Sequence, residues 1–282
     1  MSTTSIQDSA LARSLQRETT AEVLFDDFSR GLYSTDASIY QIMPLGVVVP
    51  KTEEDVKTTL NIAYENGISV TMRGAGTSQC GQTVGEGIIV DVSKNLNSLV
   101  SVDPEKRQAS VQPGIVLDQL NDSLKQHGLF FPVDVSTSSR ATIGGMTANN
   151  SCGARSIRYG KMVDNVREVD AVLADGSSMR FGKWDEGTAS AVPQRQQKLV
   201  SQLIDLGTRE SEEVALRFPR VQRRVGGYNL DVLSAETGSS LNLAQLLVGS
   251  EGTLAVSSQI SLNLQPIPEQ KVLGVCHFPT FY

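Results

Sequence analysis

The stretch RGAGTSQCGQ, Arg73 to Gln82, follows an apolar run, ISVTM at Ile68 to Met72, that reads as a β-strand. Gly74, Gly76 and Gly81 sit beside the small hydroxyls of Thr77 and Ser78 and beside the fixed cation of Arg73. Glycines let successive backbone N–H groups turn toward one point, and such a concavity binds anions, phosphate above all. A Rossmann fingerprint needs a third glycine and a helix directly after it. Here Gln79 stands where that glycine belongs, and the following CGQTVGEGIIVDV is glycine-broken and then β-like. No Gly-Lys-Ser/Thr follows, so the loop is not a P-loop. Taken alone, the loop also reads as a glycine-rich turn without a ligand.

Working outward, Gly46 to Val49 (GVVV) reads as a buried strand stopped by Pro50. Thr52 then caps a helix whose first turn carries Glu53, Glu54 and Asp55, and whose apolar positions Val56, Leu60 and Ala63 recur at helical spacing up to Gly67. Strand, helix and strand make a β-α-β unit with parallel strands and a right-handed crossover. Residues 1 to about 30 read as helical. After the loop come strands at Gly87 to Val92, Leu99 to Asp103 and Arg107 to Gln112, then a helix at Val116 to Gln126 ended by Gly128. A hairpin turns at Asp175-Gly176 between Val166 to Ala174 and Ser177 to Phe181, residues 183 to 217 are polar and helical, and strand signals return between Leu246 and Leu264. Lys271 to Phe278 reads as the start of one more strand.

Two more small-residue loops accompany the first. Pro132 to Gly153 reads PVDVSTSSRATIGGMTANNSCG, too long for an idle loop inside a compact domain. Ser136, Thr137 and Ser138 offer hydroxyls, Gly144 and Gly145 admit close backbone approach, and Asn149 and Asn150 offer amides to a heterocycle edge. Gly249 to Val256 (GSEGTLAV) repeats the character.

The whole-chain composition removes several classes. A net charge of −6 disfavours a general nucleic-acid binder. No apolar run has the length of a membrane span, and the first twenty residues lack a signal-peptide core. Cys80, Cys152 and Cys276 are too scattered for a disulfide framework or zinc site, so a reducing cytoplasmic setting fits, with peripheral contact to the inner membrane face as an extension. Cys80 and Cys152 read as buried packing residues. His127 and His277 are the only histidines. His127 sits where a cation suits a helix end.

RGAGTSQCGQ, STSSRATIGGMTANNSCG and GSEGTLAV, in this order, resemble the FAD-binding domain of the vanillyl-alcohol-oxidase/PCMH superfamily. YSTDASIYQIMPLGVVVP (Tyr33 to Pro50) and Tyr159-Gly160 match its D-lactate and D-2-hydroxyglutarate dehydrogenase (glycolate-oxidase D-subunit) branch. The resemblance implies an α+β fold with a small parallel β-α-β lobe (residues 33–95) and a larger, mainly antiparallel lobe (96–270), preceded by a helical extension (1–32) and followed by the start of a cap domain (271–282). FAD would lie extended between the lobes. Arg73, Gly74, Ala75, Gly76, Thr77, Ser78, Gly81 and Gln82 would serve the pyrophosphate. Ser136, Thr137, Ser138, Thr142, Gly144, Gly145, Ala148, Asn149, Gly153 and Tyr159 would line the phosphates and flavin, and Glu251, Gly252 and Val256 would close the adenine or flavin side. Superfamily members that tether FAD use a His or Cys at the positions held here by Thr77 and Ser138, so the flavin is expected to be non-covalent.

The implied reaction is oxidation of a D-2-hydroxy acid, most like D-lactate, with a quinone, cytochrome or iron–sulfur domain accepting the electrons. No metal or iron–sulfur ligand set is present in the sequence, and the catalytic residues are expected beyond Tyr282. Arg155, Arg158, Lys161 and Arg167 read as surface cations, with reach of one of them to the substrate carboxylate or the flavin edge as the alternative; Arg223 and Arg224 precede a GGYN stretch that resembles a family segment near the active site. An aldonolactone oxidase, a cell-wall precursor reductase or an inactive FAD-binding fragment is the alternative.

Overall fold

A computed structural model describes residues 9–233, 241–270 and 272–280. Its first sheet is built by β1 (Glu22–Leu24), β2 (Gly46–Val49), β3 (Val70–Arg73) and β4 (Ile88–Asp91), in the order β1-β2-β4-β3. Helices α1 (Ala10–Glu18), α2 (Asp27–Tyr33) and α3 (Glu53–Glu65) accompany it. β2 and β3 are parallel, but each pairs with β4 rather than with the other. The strand after the glycine loop therefore inserts between the two ends of the β-α-β unit. Segment 22–24, read above as helix, is a strand antiparallel to β2. The alternation of Val23 with its neighbours lets it complete a sheet edge, where burial outweighs helix propensity.

The second sheet has the order β5-β6-β10-β8-β9 and is wholly antiparallel. It uses β5 (Leu99–Asp103), β6 (Gln108–Val111), β8 (Val166–Val172), β9 (Ser178–Phe181) and β10 (Val256–Asn263). The small strand β7 (Leu129–Phe130) pairs with β11 (Gln265–Pro266). Helix α4 (Leu117–Leu124) buries Leu117, Leu120 and Leu124, and a 3-10 turn to His127 ends at Gly128, whose φ of 66° is left-handed. Short helix α5 (Ile143–Ala148) lies inside the Pro132 to Gly153 loop, and α6 (Ser156–Tyr159) and α7 (Met162–Asn165) follow it. They are too short to print a helical period. Polar helices α8 (Glu186–Ala191), α9 (Gln194–Arg209) and α10 (Ser211–Arg217) follow, then α11 (Ala244–Leu247).

Each sheet has its own apolar core. One gathers Val111, Leu120, Ile143, Met162, Val169 and Ile260; the other gathers Leu15, Val48, Val56, Ile88 and Val90. Val172, at the end of β8, packs into the smaller core and holds the two together. Residues 272–278 form no strand: Val272, Leu273, Val275 and Phe278 are exposed and pair with no described strand. Lys271 and the segment 234–240 lie outside the described residues.

Asp55 anchors the N-terminal segment to the first sheet. Its buried carboxylate accepts from Thr20 N (2.7 Å), Lys51 N (2.9 Å) and Thr52 N (3.0 Å), and from the Thr20 hydroxyl. Burial pushes its pKa up, but the hydrogen bonds from Thr20, Lys51 and Thr52 outweigh that and hold it below the ordinary value. A depressed folded-state pKa contributes stability that is complete above the unfolded pKa and is lost as pH falls through the folded one. Asp55→Asn is expected to cost about 1–3 kcal/mol at neutral pH, with the deficit shrinking in acid. Urea unfolding of both proteins at neutral and acidic pH checks this; a constant deficit would refute the linkage.

Candidate functional site

The cleft between the sheets begins where β3 ends. Its first wall is the loop from Arg73 to Ser78, with Gln82 and Thr83. Among the described residues, none of the amides of Ala75, Gly76, Thr77, Ser78 and Gln79 donates a hydrogen bond within the protein. Gly76 at φ 65° and Gly81 at φ 81° bend the chain as only glycine does without strain. Arg73 does not stand free. Its guanidinium donates to the carbonyls of Tyr33 (3.3 Å), Thr35 (2.8 Å) and Thr83 (3.4 Å), and stacks 5.2 Å from the Tyr33 ring centroid. Tyr33 in turn donates its hydroxyl to Asp91 at 2.7 Å, and burial, reinforced by Asp91, pushes its phenol well above the usual range. Arg73 thus ties the loop to the segment before β2. Ala37 N donates to Gly76 O at 3.0 Å and the Thr83 hydroxyl to Asp36 at 2.9 Å, completing that brace.

The facing wall is Thr137, Ala141, Thr142, Gly144, Gly145, Ala148, Asn149 and Ser151. Thr142 caps α5, accepting from Gly145 N at 3.3 Å. A methyl group at Gly74 would overlap the Thr142 hydroxyl, and one at Gly144 would lie 2.6 Å from Pro113 Cβ. Both glycines are therefore spaces for close approach between chain segments. The third side is Ser250, Glu251, Gly252 and Val256. Glu251 adopts a φ of 52° and accepts from Gln82 Nε2 at 3.1 Å, joining the first and third loops. The Ser78 hydroxyl donates to Gln82 Oε1 and orients that amide.

Five residues expected at the site lie off this lining. Gly81 packs under the Tyr40 ring. Ser136 is exposed, and the Ser138 hydroxyl donates to Asp118 at 3.2 Å. Gly153 packs on Asp134, and Tyr159 meets Phe130 edge-on at 5.8 Å. The lining also includes Met72, Val92, Pro113, Val135, Met146 and Leu247, which the sequence reading missed. Val135 and Met146 lie within the Pro132 to Gly153 loop singled out above, and Pro113-Gly114 carries a turn signal. Cys80 is exposed and Cys152 half-buried, correcting their reading as buried packing residues: both sit on loops whose glycines leave little side-chain volume to cover them. His127 and His277 are exposed and do not line the cleft. Among the described residues no group of His, Cys, Asp and Glu is placed to hold a metal ion, and no helix is long and apolar enough to cross a membrane.

The lining runs from Arg73 past Thr142 to Val256, so three separate segments border one open cleft. An extended ligand can touch all three, and the amides of Ala75 to Gln79 fit a phosphate-bearing one. Both features suit a flavin dinucleotide.

Residues 44–182 match the family model described as FAD binding domain. A D-2-hydroxyglutarate dehydrogenase of Pseudomonas putida is 35% identical over 92% of this chain and 26% of its own length. The glycolate oxidase subunit GlcD of Bacillus subtilis is 31% identical over 88% of this chain and 43% of its own. A D-lactate dehydrogenase of Archaeoglobus fulgidus is 32% identical over 83% and 42%. The chain thus spans only a quarter to about two fifths of these relatives. Among solved structures, an alkyldihydroxyacetonephosphate synthase superposes with a TM-score of 0.66 at 17% identity, covering 92% of this chain and 41% of that one, so it shares the fold.

The Gly74–Thr142 approach is directly testable. Gly74→Ala is expected to push the first two walls apart and weaken FAD binding at least about tenfold, a change of about 1.4 kcal/mol. Adding Thr142→Ala removes the overlap and is expected to restore part of the affinity. Titration of both proteins with FAD, followed by flavin fluorescence, reads the outcome; equal losses in the two would show that the contact is not the cause.

Proposed function

We propose that this chain, whose residues 44–182 belong to the FAD binding domain family, holds FAD non-covalently along the cleft and forms the flavin-binding part of a D-2-hydroxy-acid dehydrogenase. The observation that carries the reading is the run of undonated amides from Ala75 to Gln79, in the wall that faces Thr142, Gly144 and Gly145. These amides take the pyrophosphate. Thr137, Thr142, Gly144, Gly145, Ala148 and Asn149 hold the ligand from the other side, and Glu251, Gly252 and Val256 close the third. Arg73 acts as the brace of the first wall more than as a phosphate cation, because its donors are committed to backbone carbonyls.

FAD supplies the acceptor for the hydride that leaves C2 of the hydroxy acid. The chain's part is to bind and orient it. Thr77 and Ser138 occupy the positions where a tethering side chain would stand, and neither hydroxyl forms the usual link. The substrate class is supported by the names of the relatives, dehydrogenases of D-2-hydroxyglutarate and D-lactate. The base and the substrate-carboxylate cations are assigned outside this chain: Arg73 and Glu251 are the charged residues of the described lining, and no histidine is among them. The three unpaired cysteines support a reducing, cytoplasmic setting.

The purified chain is expected to be yellow, or to become so with added FAD, and acid precipitation is expected to release all of the flavin. Turnover of D-lactate or D-2-hydroxyglutarate with an artificial electron acceptor is expected to be negligible for the isolated chain. A protein that stays colourless with excess FAD would sink the reading, and robust turnover would place a complete site within these residues.

A further inference from the structure

Beside the second wall of the cleft, four cations crowd around α6. Arg155 precedes the helix and lies 6.0 Å from the Phe130 ring centroid; Arg158, within it, lies 5.2 Å from the Tyr159 ring. Phe130 and Tyr159 touch edge to face, so both guanidinium groups rest on one aromatic pair. From the opposite side, Arg223 donates to Gly153 O at 3.0 Å and Lys161 to Gln222 O at 3.4 Å, which brings segment 222–223 against the same helix. None of the four forms an ion pair among the described residues.

The nearby carboxylates are otherwise engaged. Asp134 accepts from the Arg155 amide at 3.0 Å and Asp164 from the Lys161 amide at 2.8 Å, while Asp231 is bound to Arg224. Four positive side chains thus stand against two carboxylates that face backbone amides. This is a positive patch on a chain whose net charge is −6. Ile157, between Arg155 and Arg158 in sequence, is 73% exposed, and Val221, beside segment 222–223, is 60% exposed.

Cations held in place by ring stacking and backbone carbonyls lose little side-chain freedom when a partner arrives. Arginine and tyrosine around exposed aliphatic groups are the composition of a protein–protein contact. An acidic protein supplies both the carboxylates that match the cations and the apolar side chains that match Ile157 and Val221, whereas a nucleic acid supplies only the charge. We propose that the α6 rim, formed by Arg155, Ile157, Arg158, Lys161, Val221 and Arg223, is a docking surface for a separate acidic protein. The inference stands apart from the cofactor reading, since none of these six side chains lines the cleft.

The test uses the full chain and a fluorescently labelled peptide of interspersed Glu and Leu as the probe, read by anisotropy at low and high salt. The variant Arg155→Glu/Arg158→Glu/Arg223→Glu is expected to lose at least about tenfold in affinity, and Arg155→Gln/Arg158→Gln/Arg223→Gln to lose less but measurably. The control Lys94→Glu/Lys198→Glu/Arg209→Glu makes the same charge change on other exposed surfaces and is expected to bind nearly as the parent does. Circular dichroism melts and FAD titrations of every variant separate loss of fold or of the cleft from loss of docking. Equal losses in variant and control would overturn the proposal. So would unchanged binding in both rim variants, or tighter binding of the parent to phosphatidylglycerol vesicles or single-stranded DNA than to the peptide.

Discussion

The cleft depends on a single steric constraint: the first and second walls meet where Gly74 has no side chain and Thr142 has one. Thr142 is buried, caps α5 and lies next to Ile143 in the core of the larger sheet, so it has little room to retreat. The same device recurs at Gly144 against Pro113 and at Gly114 against the carbonyls of Val92 and Leu96. Each missing Cβ lets one backbone approach another chain segment. Together they set the depth of the groove along which a long ligand lies. A side chain at any of these glycines would force these segments apart.

Rigidity on the first wall comes from polar contacts rather than from packing. The undonated amides of Ala75 to Gln79 add no hydrogen bonds that hold the loop, and its glycines add conformational freedom that must be removed. The brace of Arg73, Tyr33, Asp91, Asp36 and Ala37 supplies that restraint from residues distant in sequence. Leaving the amides unused while holding the loop in place is a form of preorganisation, because the cost of ordering is met during folding and not when the ligand binds. The Gln82–Glu251 hydrogen bond extends the same restraint to the third side.

Much of the architecture was legible locally. Thr52 marked a helix cap that the structure contains, closed there into a capping box by Asp55, Asp175-Gly176 marked a hairpin that forms, and the apolar runs at Gly46 to Val49 and Ile88 to Asp91 are fully buried strands. Errors arose where a partner decides. Segment 22–24 is a strand because β2 offers it an edge, and Val272 to Phe278 is not one because no described strand offers it any. Cys80 was placed inside on composition, yet the loop that carries it has too little bulk to bury it.

The sequence by itself determined which segments are small, flexible and able to present amides, because glycine spacing and side-chain size are local properties. The order of its three loops also carried the resemblance to an FAD-binding domain, and residues 44–182 match the family model of that description. Only the tertiary structure decided which of those small residues face the cleft. Ser138 turned to Asp118, Arg73 turned to three carbonyls, and Pro113 and Met146 joined the lining unannounced. The reason is physical. A hydroxyl or guanidinium takes the nearest partner that desolvation leaves it, and which partner is nearest depends on how two sheets with separate cores come to rest against each other.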